Sequence, residues 1–257
     1  MLTLSFKLRE LFHLNLLRHL GFRLSGRAYA LKGGICLRFF HHSPRLSEDM
    51  DLDISSQVRK ETLENAVDSI LHSRSFLSPL IPRGIVDIKI RKPKQTETTQ
   101  RWKFLLILSK QIALPTKLEF SRRRKELTYC KGIPDPEILA QYQFSPFASQ
   151  YYDSGSMAEQ KIFALSSPSR NAVRDLFDLH HLFFNIPVQP EKMNHLKIEA
   201  KKEIEHAYEK ISKFSYDDFK EQVLPFLTET MISLYKDKNI YEELKSKVEE
   251  FLIERLS

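Results

Sequence analysis

Cysteine is almost absent from this chain: Cys36 and Cys130 are the only two in 257 residues. So few thiols exclude a disulfide-stapled scaffold and fit an unpaired pair in a reducing cytoplasm. Long hydrophobic runs are missing too. The longest candidate, Phe104 to Leu108, falls far short of the roughly 20 residues that cross a bilayer, so no membrane partner is expected. Near the start, Lys7, Arg9 and Glu10 interrupt the apolar positions, and no secretory leader is expected there. No internal repeat or low-complexity tract occurs. Histidine pairs stand at His41-His42 and His180-His181, but adjacent residues do not share a helix face and no zinc spacing is present. A hydrophobic content of 42% over this length suffices for one large or two small domains with a true core.

Glycine is scarce, seven residues, and two of them are adjacent at Gly33-Gly34. A glycine pair lets a backbone approach an anion closely and turn into a helix whose first amides and dipole favour negative charge. Downstream lies Ser47-Glu48-Asp49-Met50-Asp51-Leu52-Asp53. On a strand alternate side chains share a face, so Asp49, Asp51 and Asp53 project together while Met50, Leu52 and Ile54 cover the buried side. Crowded carboxylates repel one another unless a cation sits among them, and hard oxygens beside a phosphate cleft suit Mg²⁺. An anion cleft next to a metal-binding strand points to nucleotidyl transfer. The net charge of +7 favours a polyanionic partner. Basic residues gather at Lys89, Arg91, Lys92, Lys94, Arg101 and Lys103, and again at Arg122 to Lys125. If they form one surface, it would track a nucleic-acid backbone.

Periodicity predicts helices over Phe6–Leu20, Ile35–His41 and Arg59–Arg74, and strands over Tyr29–Lys32, Met50–Ile54, Ile85–Arg91, Trp102–Ser109 and Pro115–Phe120. From Ser156 the pattern is helical. Ser156 and Glu159 are expected to form a capping box, Pro168 to interrupt the helix, and an Arg-Asp helix to run to about Phe184 before Pro187. The tail from Glu191 to Ser257 reads as further amphipathic helices. The expected fold class is α+β: a lobe with a mixed sheet over residues 1–150, a helical lobe over 151–257, and the active site between them.

Ala30-Leu31-Lys32-Gly33-Gly34, with Arg45 to Leu52, resembles the signature of the AbiEii-type (MenT-like) nucleotidyltransferase toxins, a branch of the polymerase-β-like superfamily. Glu159 to Leu165, then Arg170 and Val173-Arg174-Asp175-Leu176-Phe177-Asp178-Leu179, is similar to that family's C-terminal motif, in which a lysine precedes an Arg-Asp-x-x-Asp-Leu helix. The family commonly carries a small hydroxyl residue after the glycines. This chain has Ile35-Cys36, so phosphate contacts there are expected from backbone alone.

The resemblance implies a Mg²⁺-dependent enzyme, with a two-metal site, that transfers NMP from an NTP to RNA such as the 3′ end of tRNA. It would act as a cytoplasmic toxin with a cognate antitoxin, in a toxin–antitoxin or phage-defence pair. Asp49 and Asp51 would be metal ligands, with Asp53 in reserve. The third acid is Glu119, on a strand-like segment with Lys117 on the same face, or Asp87. Lys32, Gly33, Gly34, Arg45, Ser47 and Lys161 would bind nucleotide, and Asp175 and Asp178 would anchor or complete the site. Arg170, Arg174 and Asp178, at four-residue steps, read equally as an ion-pair ladder along one helix face. Two other functions stay open, NMP transfer to a protein side chain and a non-catalytic nucleotide- or antitoxin-binding role.

Overall fold

The computed structural model describes residues 2–24, 27–109, 112–124, 126–170, 172–186 and 201–256. The chain divides into two compact units, one of Met1–His42 with Leu46–Tyr152, the other of Ser43–Arg45 with Asp153–Ser257. Among the described residues no helix is long and apolar enough to cross a membrane.

The first unit is built on strands β1 (Tyr29–Lys32), β2 (Asp49–Ile54), β3 (Ile85–Gln95), β4 (Thr99–Leu108), β5 (Ala113–Ser121), β6 (Cys130–Gly132) and β7 (Ser149–Tyr151). They form one mixed sheet in the order β3-β4-β5-β2-β1-β7-β6. β2 pairs antiparallel with β1 and parallel with β5, while β3, β4 and β5 form an antiparallel meander. Alternation sets the faces. Met50, Leu52, Trp102, Phe104, Leu118 and Phe120 are buried, and the intervening residues of β4 and β5 are half-buried or exposed. Helix α1 (Leu2–Arg23) is buried on every side from Leu8 to Leu17, including the polar Arg9, Glu10, His13 and Asn15. Two polar side chains within it are satisfied at one atom each: His13 Nε2 lies 2.7 Å from Thr116 Oγ1, and Asn15 Nδ2 donates to the Phe76 carbonyl at 2.7 Å, while His13 Nδ1 and Asn15 Oδ1 are buried without a hydrogen bond among the described residues. Helix α2 (Gly33–Phe40) connects β1 to the loop before β2, and α3 (Lys60–Leu71) buries Leu63, Val67, Ile70 and Leu71 as its periodicity predicts. A four-residue helix, α4 (Arg74–Leu77), and α5 (Pro136–Gln141) complete the unit. β6 and β7 are not expected from the sequence, because three residues are too few to show a period of two.

The second unit begins with α6 (Ser154–Ser166). Its N-cap is Asp153, whose carboxylate accepts from the Ser156 amide at 2.9 Å, so the expected Ser156–Glu159 capping box is replaced by a stronger acceptor one turn earlier. α7 (Val173–His180) continues into a π-helical turn at His181–Asn185. Pro187 and the expected start of the tail at Glu191 lie outside the described residues. From residue 201 the tail is helical, as α8 (Lys201–Ser212), α9 (Tyr216–Gln222), α10 (Glu229–Tyr235) and α11 (Lys238–Leu256). Ile162, Leu165, Leu176, Ile204, Ile211 and Val248 fill the core, and Phe177, Phe219, Tyr235 and Tyr241 form a ring cluster within it.

Candidate active site

Gly33 opens α2 with φ +72°, a left-handed conformation that only glycine adopts cheaply. A Cβ there would stand 3.2 Å from Asp51 Oδ2. The glycine turn and the acidic strand, far apart in sequence, are therefore in van der Waals contact. Lys32 pairs across the ladder with Asp51, and Leu31 with Leu52. The first amides of α2, from Gly33 and Gly34 onward, have no acceptor within the helix, and the helix opens beside the acid pair, where its dipole favours an anion.

On the other flank of β2, register sets Lys117 opposite Asp49 and Glu119 opposite Asp51. The Lys117 ammonium stands 3.4 Å from Asp49 Oδ2, 3.5 Å from Asp51 Oδ1 and 3.9 Å from Glu119 Oε2. Three carboxylates thus face one cation. Burial, reinforced by Asp49 and Glu119, pushes the Asp51 carboxyl above the usual carboxylate range even against Lys117. Burial works to lower the Lys117 pKa, but the three acids outweigh it and raise it. Among the described residues no three His, Cys, Asp or Glu are gathered tightly enough to enclose an ion by themselves. Asp87 stands on β3, the sheet edge, separated from β2 by β4 and β5, and its Oδ1 accepts from the Ile88 amide at 2.8 Å.

Asp53 shares the strand face but is buried. It accepts from the Tyr152 hydroxyl at 2.8 Å, pairs with Lys32, and lies 3.5 Å from Arg124. Lys32 is held by this acid. Ser47 donates to the Asp49 carbonyl at 3.2 Å and so shapes the entry to β2.

The C-terminal motif forms a separate charge cluster inside the second unit. Lys161 donates to Asp175 and Asp178 at 2.6 Å each, and Arg45 grips Asp178 with Nε and Nη2, both at 2.7 Å. Arg170 closes the set on Asp175 at 2.6 and 3.2 Å. Arg45, Lys161, Asp175 and Asp178 are all buried. Burial alone would raise both acids, yet Arg45 and Lys161 hold Asp178 well below the ordinary carboxylate range, and Lys161 with Arg170 lower Asp175. The ladder reading of this segment does not hold, because Arg170 precedes the first turn of α7 and Arg174 lies over the Phe226 ring, 5.1 Å from its centre.

The structure therefore gathers Gly33, Gly34, Asp49, Asp51 and Glu119 in the first unit, with Lys117 among them, and Arg45, Lys161, Asp175 and Asp178 in the second. Lys117 and Tyr152 are the additions. Lys117 was visible in the sequence as the face-mate of Glu119, whereas nothing local marks Tyr152 as a partner of Asp53.

The sequence profile of a family described as nucleotidyl transferase AbiEii toxin, type IV TA system, matches residues 15–253. No curated protein sequence matches the chain. A solved structure of a candidate nucleotidyltransferase from H. pylori aligns with TM-score 0.61 and 19% identity over 96% of this chain and 94% of that one. JHP933 from Helicobacter pylori aligns with TM-score 0.55 and 19% identity over 95% and 91%. MenT4, a nucleotidyltransferase toxin from Mycobacterium tuberculosis, aligns with TM-score 0.63 and 13% identity over 98% of this chain and 83% of its own. At such identities the likeness to these structures is one of fold.

Proposed function

The chain belongs to the AbiEii family of nucleotidyltransferase toxins of type IV toxin–antitoxin systems, and from that premise we propose that it transfers NMP from an NTP to RNA, at the 3′ end of tRNA, in a Mg²⁺-dependent reaction. The family supplies the coarser frame: a nucleotidyltransferase that uses an NTP and a divalent metal, and an antitoxin as partner. In this reading residues 1–150 are the catalytic lobe and 151–257 the helical lobe.

The single observation that carries the reading is the contact between the Gly33 turn and Asp51, on a strand whose neighbouring acids already face a cation. That donor set is hard oxygen, and Mg²⁺ takes one or two protein carboxylates and completes its shell with phosphate oxygens and water. Asp49 and Asp51 would hold the ion, and Glu119 would serve a second one. When bound, the metal would neutralise phosphate charge and polarise the reacting oxygens.

The backbone amides from Gly33 onward bind the triphosphate at the start of α2, where the helix dipole favours its charge. Lys117 balances the acids, so that the cluster is not left with three uncompensated charges. The acceptor hydroxyl gives up its proton to water as its oxygen forms a bond to the α-phosphorus, the bond from that phosphorus to the bridging oxygen breaks, and pyrophosphate leaves. Arg45, Lys161, Asp175 and Asp178 act as positioning residues, since their charges are satisfied by one another inside the second unit.

Incubating the protein with each labelled NTP, Mg²⁺ and total RNA or lysate tests the proposal. Label in RNA of tRNA size supports it. Label in polypeptide transfers the reading to protein modification, and no incorporation with any NTP overturns the catalytic assignment of this chain.

A further inference from the structure

Two rows of side chains cross one face of the first unit's sheet in register. One runs Arg91, Lys103, Lys117, Asp49, and the next runs Lys94, Arg101, Glu119, Asp51. Each row starts at the edge strand β3 and ends on an acid of β2. Side chains directly opposite one another across antiparallel strands stand about 5 Å apart at Cβ, and like charges in that position destabilise a sheet. Here Arg91 faces Lys103 and Lys103 faces Lys117, while Lys94 faces Arg101.

Some of this charge is compensated, since Arg101 donates to Glu119 at 2.5 Å. Among the described residues no ion pair forms with Lys89, Arg91, Lys94 or Lys103. Lys92, also on β3, shows the contrast, because it is tied to Glu64 at 2.7 Å and Asp68 at 2.5 Å of α3. Lysines that merely guard an edge strand need no such clustering on a single face. A cleft of about 650 Å³ lies over the first row and Arg101, lined by Asp49, Lys89, Arg91, Arg101, Lys103 and Lys117 together with Glu48. Its floor includes Leu105 and Pro115, which face each other across β4 and β5.

We propose that this cleft is the track for the last phosphates of a single-stranded RNA acceptor, leading its 3′ end from the edge strand β3 to Asp49 and Asp51. The inference rests on the RNA-acceptor reading above and adds the direction of approach. From β3 to β2 the track spans three strand spacings, roughly 14 Å in all. Phosphates would relieve the repulsion within the rows, and an apolar floor between cations suits the unpaired bases of a single strand, which a duplex keeps hidden. The triphosphate does not compete for this track, because Gly33 and Gly34 lie beyond β2 on the β1 side. Donor and acceptor reach the acids from opposite flanks.

The test is the triple variant Lys89→Gln, Arg91→Gln, Lys103→Gln in the full chain, none of whose positions is buried or paired. The probes are bulk tRNA, a 3′-tailed oligoribonucleotide and a blunt duplex of the same sequence, with affinity followed from 50 to 200 mM KCl. We expect affinity for the tailed probe to fall roughly tenfold or more and its log–log salt slope to flatten by about 2, at ~0.7 per lost single-strand phosphate contact. NTP affinity should stay unchanged, and the melting temperature should hold or rise as repulsion is removed. Unchanged RNA affinity and slope, in a protein whose wild type labels RNA, would overturn the track alone. Equal loss for the blunt duplex would overturn its single-stranded character. Label that enters only polypeptide would show that the acceptor reading itself had failed, and the track with it.

Discussion

Asp51 illustrates how much one residue can carry when its neighbours are fixed. Its carboxylate touches the Gly33 turn, faces Lys117 at 3.5 Å, and is opposite Glu119 in the ladder. Asp51→Asn keeps the shape and removes one metal-binding charge without disturbing the apolar face of β2. Transfer should be lost while the unfolding midpoint stays near wild type. Wild-type turnover by a folded Asp51→Asn protein at saturating Mg²⁺ would remove Asp51 from the site. Lys161 is the opposite case. Its ammonium is enclosed by Asp175 and Asp178, so Lys161→Ala removes a shared donor from two buried carboxylates that keep only Arg170 and Arg45, a change that costs about 1–3 kcal/mol. Denaturant unfolding should show that loss directly. A stable Lys161→Ala protein with a raised KM for NTP would instead place the lysine on the triphosphate. The sequence made Asp49 and Asp51 legible because strand alternation is a local rule. The closure of Lys161, Asp178 and Arg45 on one another was not legible, since Arg45 and Asp178 stand 133 residues apart and no periodicity links them.

At the scale of elements, α1 and β5 are joined through a buried polar contact, His13 to Thr116, and that contact makes the packing sensitive to acid. Burial, with Arg9 nearby, depresses the His13 pKa from 6.5 to about 3. Above pH 6.5 neither the folded nor the unfolded chain protonates it, so its contribution there is constant. Below 6.5 the unfolded chain takes up a proton that the folded one refuses, and stability falls by about 1.4 kcal/mol per pH unit. His180, depressed to about 4 by burial and by Lys247 and His181, acts in the same direction. Between pH 6.5 and 5 the wild type should lose unfolding free energy more steeply than His13→Gln, which retains the contributions of His180 and of His19, whose pKa burial also lowers. Parallel slopes would mean that His13 is protonated in the folded protein. Elements of eight or more residues with clear periodicity, such as α3, β4 and β5, are legible in the sequence to within a few residues at each end. β6 and β7 escaped, because their pairing with each other and with β1 is decided by the sheet rather than by their three residues. α6 starts at Ser154, ahead of the expected Ser156, for a local reason, as Asp153 outcompetes Ser156 for the cap.

Across the whole molecule the excess of positive charge is not one surface, and the two basic runs that look alike in sequence serve different ends. Side chains of β3 and β4 leave Lys89, Arg91 and Lys103 uncompensated beside the acids. The run that begins at Arg122 is largely engaged within the fold. Arg122 donates to Gln100 Oε1 at 3.0 and 2.7 Å and to the Val58 carbonyl, and Arg124 stands near Asp53 with its guanidinium 5.3 Å from the centre of the Tyr152 ring. Arg123 is exposed, and Lys125 lies outside the described residues. Sequence spacing could not separate the two runs, since both alternate or cluster with similar density and only long-range partners distinguish them. The expected behaviour separates them. Arg122→Ala should lower stability by about 1–2 kcal/mol, because it leaves Gln100 and the Val58 carbonyl without a charged donor. It should leave the salt slope of RNA binding unchanged. Arg123→Ala should shift that slope by no more than about one unit, with no cost in stability. Urea unfolding and salt-dependent RNA titration of the two variants, run side by side, decide the matter. If Arg122→Ala is as stable as wild type and flattens the slope, this run belongs to the acceptor surface after all, and the approach along β3 and β4 would be only part of a wider track.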